Sequence, residues 1–116
     1  MIKKVEKPSL ASQQAVFAEN VARLIKFIFS TGYKCTFGEA YRPKETAAIY
    51  AKQGRGIAKS LHCERMAIDI NLFNKDGIYL KETAFYKPFG KYWETLDKNN
   101  VWIGGGDGGH FQMNIL

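Results

Sequence analysis

Apolar positions in the first third of the chain recur at helical spacing. Between Ser9 and Thr31, Phe17, Val21, Leu24, Ile25 and Ile28 fall on one face of a 3.6-residue repeat, and Gly32 supplies the stop. The period then drops to two. In "YKCTFGEAY" Tyr33, Cys35 and Phe37 share one face, as in a strand. Pro43 suits the first turn of a helix, so "PKETAAIYAKQG" predicts a second helix closed by Gly54. "GRGIAKS" reads as a loop. In "MAIDINLF" Met66, Ile68 and Ile70 face one way, and Ala67, Asp69 and Asn71 the other. "NKDG" is a turn, and "IYL" pairs back as a hairpin strand. Phe89, Tyr92, Trp93 and Leu96 give "AFYKPFGKYWETLDKNN" a third helical face, and "VWIGGGDGGHFQMNIL" is a glycine-rich loop followed by a last strand. With no repeats and more hairpins than crossovers, the pattern predicts an α+β fold, its helices packed on a small, mainly antiparallel sheet. Residues 1–116 form one domain, with 1–8 a short basic lead-in.

Asp69 is the anomaly in this pattern. An ionised carboxylate between Ile68 and Ile70 is costly unless it is paired, hydrogen-bonded or bound to a metal. The chain has two histidines, His62 and His110. In "HFQM" His110 and Gln112 share one face, with Phe111 and Met113 on the other. If the two strands are neighbours, Asp69 and His110 project from the same surface, and the preceding loop can fold His62 over them. Two imidazoles and a carboxylate leave a fourth tetrahedral position open, which is the layout of a catalytic zinc site. Each residue taken singly also has a plainer role: a histidine as surface or core residue, an aspartate as an arginine's partner. Cys63 adjoins His62, but neighbours on an extended segment point apart, so it reads as a buried thiol.

Composition narrows the setting. A chain of 116 residues, 46% hydrophobic and 14% aromatic, has the apolar content for one real core and is not disordered. The net charge of +6, with a pI near 9.4, favours contact with polyanions, nucleic acid and envelope polymers alike. The lysines and arginines are dispersed, and no nucleic-acid-binding motif appears, so no nucleic-acid partner is expected. No apolar run approaches the ~20 residues of a membrane span. "MIKKVEKPSL" has no apolar stretch after its lysines, so no secretion signal is expected and synthesis is expected in the cytosol. Cys35 and Cys63 are then expected as reduced thiols.

Three motifs, in order, carry a resemblance. "SLHCERMAID" resembles the S-x-H-x-x-G-x-A-x-D signature of the zinc D-Ala-D-Ala peptidases, a group that includes vancomycin-resistance dipeptidases and carboxypeptidases and phage L-alanyl-D-glutamate endolysins. "GEAYRP" looks like the tyrosine-arginine motif before that signature, and "DGGHF" is similar to its C-terminal acid-x-x-His-Phe element. The compact form looks most like the short phage and prophage members. The resemblance implies a fold shared with the hedgehog signalling domain, one zinc ion per chain, and His62, Asp69 and His110 as its ligands. It implies Asp107 as the carboxylate that takes a proton from the attacking water and passes it to the leaving amine. It implies Arg42 as the group that steadies the developing oxyanion, and Ser60 as a substrate contact. Two positions depart from the pattern. Arg65 replaces the signature glycine, so a positive φ is not expected there. Thr46 or Ala47 stands where the family often has a glutamine. Asp107, set among glycines, also fits a turn former. Glu39 is a candidate partner for Arg42 or acceptor for a ligand histidine, and Tyr41 and Trp102 are candidates to line the cleft.

The resemblance thus implies a peptidoglycan peptidase, cleaving between L-Ala and D-Glu of the stem peptide. D-Ala-D-Ala carboxypeptidase or dipeptidase action is the alternative, and a non-catalytic zinc module of the same fold a further one. A two-histidine, one-carboxylate iron oxygenase usually begins its ligands as H-x-D/E, whereas six residues separate His62 from Asp69. A monomer is expected, acting on the bacterial cell wall after release by a holin and held there by its positive charge.

Overall fold

The computed structural model describes residues 7–57, 59–106 and 108–116. Asp107, the expected proton acceptor, lies outside the described residues. Helix α1 spans Leu10–Ser30, with the Ser9 hydroxyl accepting a hydrogen bond from the Ser12 N–H at its start. Strand β1 is Lys34–Phe37 and helix α2 is Lys44–Lys52. A 3₁₀ turn, Leu61–Glu64, precedes the long strand β2, Ala67–Phe73. Strand β3 (Tyr79–Leu80), helix α3 (Thr83–Leu96), strand β4 (Asn100–Val101) and strand β5 (His110–Met113) complete the chain.

All strand pairings are antiparallel, in the order β1-β2-β5-β4, and β3 adds to β2 at Leu72 and Phe73. The expected α+β architecture is therefore present. The two faces of β2 divide as their period predicts. Ile68, Ile70 and Leu72 are buried with Phe111 and Met113 of β5, beneath Phe17, Leu24 and Ile28 of α1 and Tyr86, Phe89 and Trp93 of α3. Asp69 and Asn71 face the other side, half-buried. Helices α1 and α3 cover one face of the sheet, leaving the other for chemistry.

Two expectations need correction. The third helix ends at Leu96, and Asn100–Val101 pairs with β5 as an edge strand, because the buried Asn100 amide donates to the Trp93 carbonyl at 2.9 Å and ends the helix there. The segment carrying His62 and Cys63 is a 3₁₀ turn rather than extended chain. Phe37 shares the face of Cys35 as its period predicts, opposite Ile70 as Cys35 is opposite Leu72, and is 63% exposed there.

Arg65 gives a third correction. It ends the 3₁₀ turn at φ 56° and ψ 37°, the left-handed conformation that a glycine would hold without strain. That conformation costs a non-glycine residue on the order of 1 kcal/mol. The Arg65 guanidinium lies 4.0 Å from the centre of the Tyr41 ring, a contact worth a similar amount. Arginine is tolerated because its side chain offsets what its backbone costs. Arg65→Gly should thus change unfolding free energy by less than about 1 kcal/mol, whereas Arg65→Val, with the strain and no stacking, should lose about 2 kcal/mol. Urea denaturation of the two variants checks this, and equal losses would refute the compensation.

Candidate metal centre

Asp69 and His110 are direct partners in the β2–β5 register. The backbone of Asp69 bonds the other way: its N–H donates to the Glu39 carbonyl and its carbonyl accepts from the Gly38 N–H, each at 2.8 Å. Asp69 and His110 therefore form a non-hydrogen-bonded pair, the kind in which side chains approach most closely. Gly38 and Glu39 stand two against one opposite Asp69, as at a β-bulge. A Cβ at Gly38 would sit 3.0 Å from the Asp69 Cβ, so the brace can close this tightly only with glycine.

His62 arrives from the 3₁₀ turn. The Ser60 hydroxyl caps that turn by accepting from the His62 N–H at 3.2 Å, and the Arg42 N–H donates to the His62 carbonyl at 3.1 Å. The ring is 2% exposed. Its Nε2 lies 3.3 Å from Asp69 Oδ1, and His110 Nδ1 lies 3.2 Å from the same oxygen. One donor atom from each of the three side chains falls within 4.8 Å of the others. This is the group predicted from the sequence, and it could hold a metal ion.

The outer partners decide what the inner nitrogens carry. His62 Nδ1 is 2.9 Å from the Ala40 carbonyl, which can only accept, so the ring proton sits on Nδ1 and a neutral ring turns the lone pair of Nε2 inward. His110 Nε2 donates to Gln112 Oε1 at 2.8 Å, and the Gln112 amide is itself fixed by donating to Asn114 Oδ1 at 2.9 Å. His110 thus turns the lone pair of Nδ1 inward. Two lone pairs facing one carboxylate oxygen repel unless a proton or a cation lies between them. Burial opposes ionisation of Asp69, but when protons occupy the inner nitrogens the hydrogen bonds from His110 and His62 and their positive charge outweigh this and hold the carboxyl below the usual carboxylate range. The site is electrostatically built for a cation.

The other sequence candidates are distributed as follows. Arg42 pairs with the Glu39 carboxylate, rests 5.1 Å from the Tyr50 ring centre, and lines the same cleft as the three ligands. That ion pair, with burial opposing it, raises the guanidinium's already high pKa. Glu39 is thus Arg42's partner, and it is the carbonyl of Ala40 that orients His62. Ser60 is buried, caps the turn and reaches the cleft wall. Cys63 is buried and stands outside the ligand group among the described residues. Neither Tyr41 nor Trp102 lines the cleft; Tyr41 stacks on Arg65, and the Trp102 indole donates to the Gly108 carbonyl at 2.7 Å. Sequence reasoning missed the role of Gln112, although its i+2 spacing from His110 had already put it on the right face. It also missed Arg55 and Lys59 on the cleft wall, which carry no periodic signal.

Neither a scan against family models nor a comparison with curated proteins finds a match to this sequence. Among solved structures, the L-Ala D-Glu endopeptidase ChiX of Serratia marcescens superimposes with a TM-score of 0.66 at 18% identity, covering 83% of this chain and 79% of that one. The two share a fold.

One divalent metal ion should bind per chain, and His62→Ala or His110→Ala should remove most of the affinity. Gln112→Leu should weaken binding about tenfold while leaving the ligands in place. Affinity should fall with acid, since protons and metal compete for the same lone pairs. Competition titration with a metal-sensitive dye from pH 5 to 8 measures all three effects. Unchanged affinity in both histidine variants would rule out the site.

Proposed function

We propose that this chain is a zinc-dependent peptidoglycan peptidase that cuts the L-Ala–D-Glu bond of stem peptides. The observation that carries this reading is the cross-strand Asp69–His110 pair closed by His62, at a cleft that also holds Arg42. Two imidazoles and a carboxylate are a donor set that suits zinc. Asp69 Oδ1 stands 3.3 and 3.2 Å from its two histidine partners, near the roughly 3.3–3.4 Å between ligands ~2.0–2.1 Å from a tetrahedral zinc, and the three donor atoms together lie within 4.8 Å of one another. A zinc ion held by His62, Asp69 and His110 would supply Lewis acidity to a water and to the scissile carbonyl. The shared fold with an L-Ala D-Glu endopeptidase supports the choice of reaction.

The chain's own groups supply the rest. Arg42 is held in place by Glu39 and Tyr50, so its remaining N–H groups can meet the oxyanion that develops on the attacked carbonyl. Ala40 and Gln112 keep the two imidazoles in the tautomers that face inward. Asp107 takes the water proton and returns it to the leaving amine, a role carried by its position three residues before His110 in the motif.

Mass spectrometry of muropeptides after digestion with the zinc-loaded protein should show new N-terminal D-Glu; release of terminal D-Ala instead would favour the carboxypeptidase alternative, and no cleavage would favour a binding module. Asp107→Asn should keep zinc and lose ~10²–10⁴ in rate. Arg42→Lys should lose about 2 kcal/mol of transition-state stabilisation, mainly in kcat, because an ammonium cannot copy the planar fork. Steady-state kinetics on stem peptides decide both; a pure KM effect would give Arg42 a ground-state role.

A further inference from the structure

Among the described residues, the cleft carries more cations than the proposed reaction uses. Its cavity of about 420 Å³ is lined there by three cations, Arg42, Arg55 and Lys59, and by one carboxylate, Asp69. Asp69 is engaged by the histidines and Arg42 by Glu39. Among the described residues, Arg55 and Lys59 have no carboxylate within ion-pair distance.

Arg55 is nevertheless held in position. Its N–H donates to the Tyr50 carbonyl at 2.8 Å, its guanidinium lies 4.4 Å from the Tyr50 ring centre, and its Nη1 donates to Gln53 Oε1 at 3.1 Å. Arg42 rests on the same ring. Two guanidinium groups sharing one ring repel, and only Arg42 has its own counter-charge. Stacking leaves further Arg55 N–H groups for an acceptor, and a planar carboxylate is the acceptor that a guanidinium fork matches. Ile57, 67% exposed between the two cations in sequence, adds an apolar contact to the same wall.

We propose that Arg55 and Lys59 form a carboxylate subsite, so that the preferred substrate is a peptide with a free α-carboxylate on the residue beside the scissile bond. This rests on the peptidase reading and narrows it. A D-Glu that continues through its γ-carboxyl keeps its α-carboxylate free, one carbon from the nitrogen of the bond to be cut. Amidation of that group to D-isoglutamine removes the charge and leaves the shape almost unchanged.

The test uses two stem peptides that differ only in this carboxylate or carboxamide. Zinc-loaded wild type should prefer the carboxylate peptide roughly tenfold or more in kcat/KM, through KM. Arg55→Gln and Lys59→Gln should each shrink that preference, and the double variant should abolish it, with zinc content and thermal unfolding as wild type. Lys87→Gln, which removes one exposed charge from α3, should keep it. A wild type indifferent to amidation, or a double variant that still discriminates, overturns the subsite. If neither peptide is cut, the peptidase reading fails, and binding alone judges the subsite. A shift of the Gly56 amide resonance seen with the carboxylate peptide, but lost in Arg55→Gln, would then support it. Equal shifts with both peptides would overturn it.

Discussion

The antiparallel register of β2 against β5 is the constraint on which the candidate metal centre depends. It sets Asp69 opposite His110 at a position where neither spends its backbone on the other. A slip of one residue would turn Asp69 into the core and Ile68 or Ile70 out of it. Burying an aliphatic or aromatic side chain contributes roughly 1.5–3 kcal/mol, and Ile68, Ile70, Leu72, Phe111 and Met113 all depend on this register. Nothing on the polar face approaches that sum. The apolar face therefore positions the site, although it contributes no atom to it.

The segment from Gly38 to Arg42 supplies what the sheet cannot. It bonds to Asp69 through Gly38 and Glu39, orients His62 through the Ala40 carbonyl, and ties down the 3₁₀ turn through the Arg42 N–H. Four of its five residues thus touch the ligands through backbone groups, which freely rotating side chains could not match for rigidity. The same segment delivers the Arg42 side chain to the cleft and stacks Tyr41 on Arg65, where the turn ends. The placement of Asp69 and His62, the delivery of Arg42 and the strain of the turn are all managed from one short stretch.

Much of this was legible in the sequence, for definable reasons. Helices α1 and α3 and the two faces of β2 follow from period, α2 from Pro43 and Gly54 at its ends, and period also put Asp69, His110 and Gln112 on one surface once β2 and β5 were neighbours. The direction of approach of His62 was not legible, because a four-residue 3₁₀ turn has no periodic signature. Arg65 misled for a different reason: its left-handed backbone is compensated by Tyr41, a contact made only in the folded chain. Strand β4 escaped because two residues at the end of an apolar helix cannot announce a change of period. Tyr41 and Trp102, both candidates for the cleft, found partners elsewhere.

The division of labour between the two faces bears on what a metal does here. In a small zinc finger the ion substitutes for a core, and the chain is unfolded without it. Among the described residues of this chain, thirteen buried side chains form a continuous cluster on the helix-covered face, and His62, Asp69 and His110 are not among them. Metal bound to the native state adds stability by mass action, but the register that creates the site does not wait for it. A cation between the inner nitrogens and the Asp69 carboxylate would relieve a local electrostatic mismatch rather than replace a missing core. The core can position such a site without help from an ion. Its geometry can then be set by the needs of chemistry, because the fold asks nothing of it.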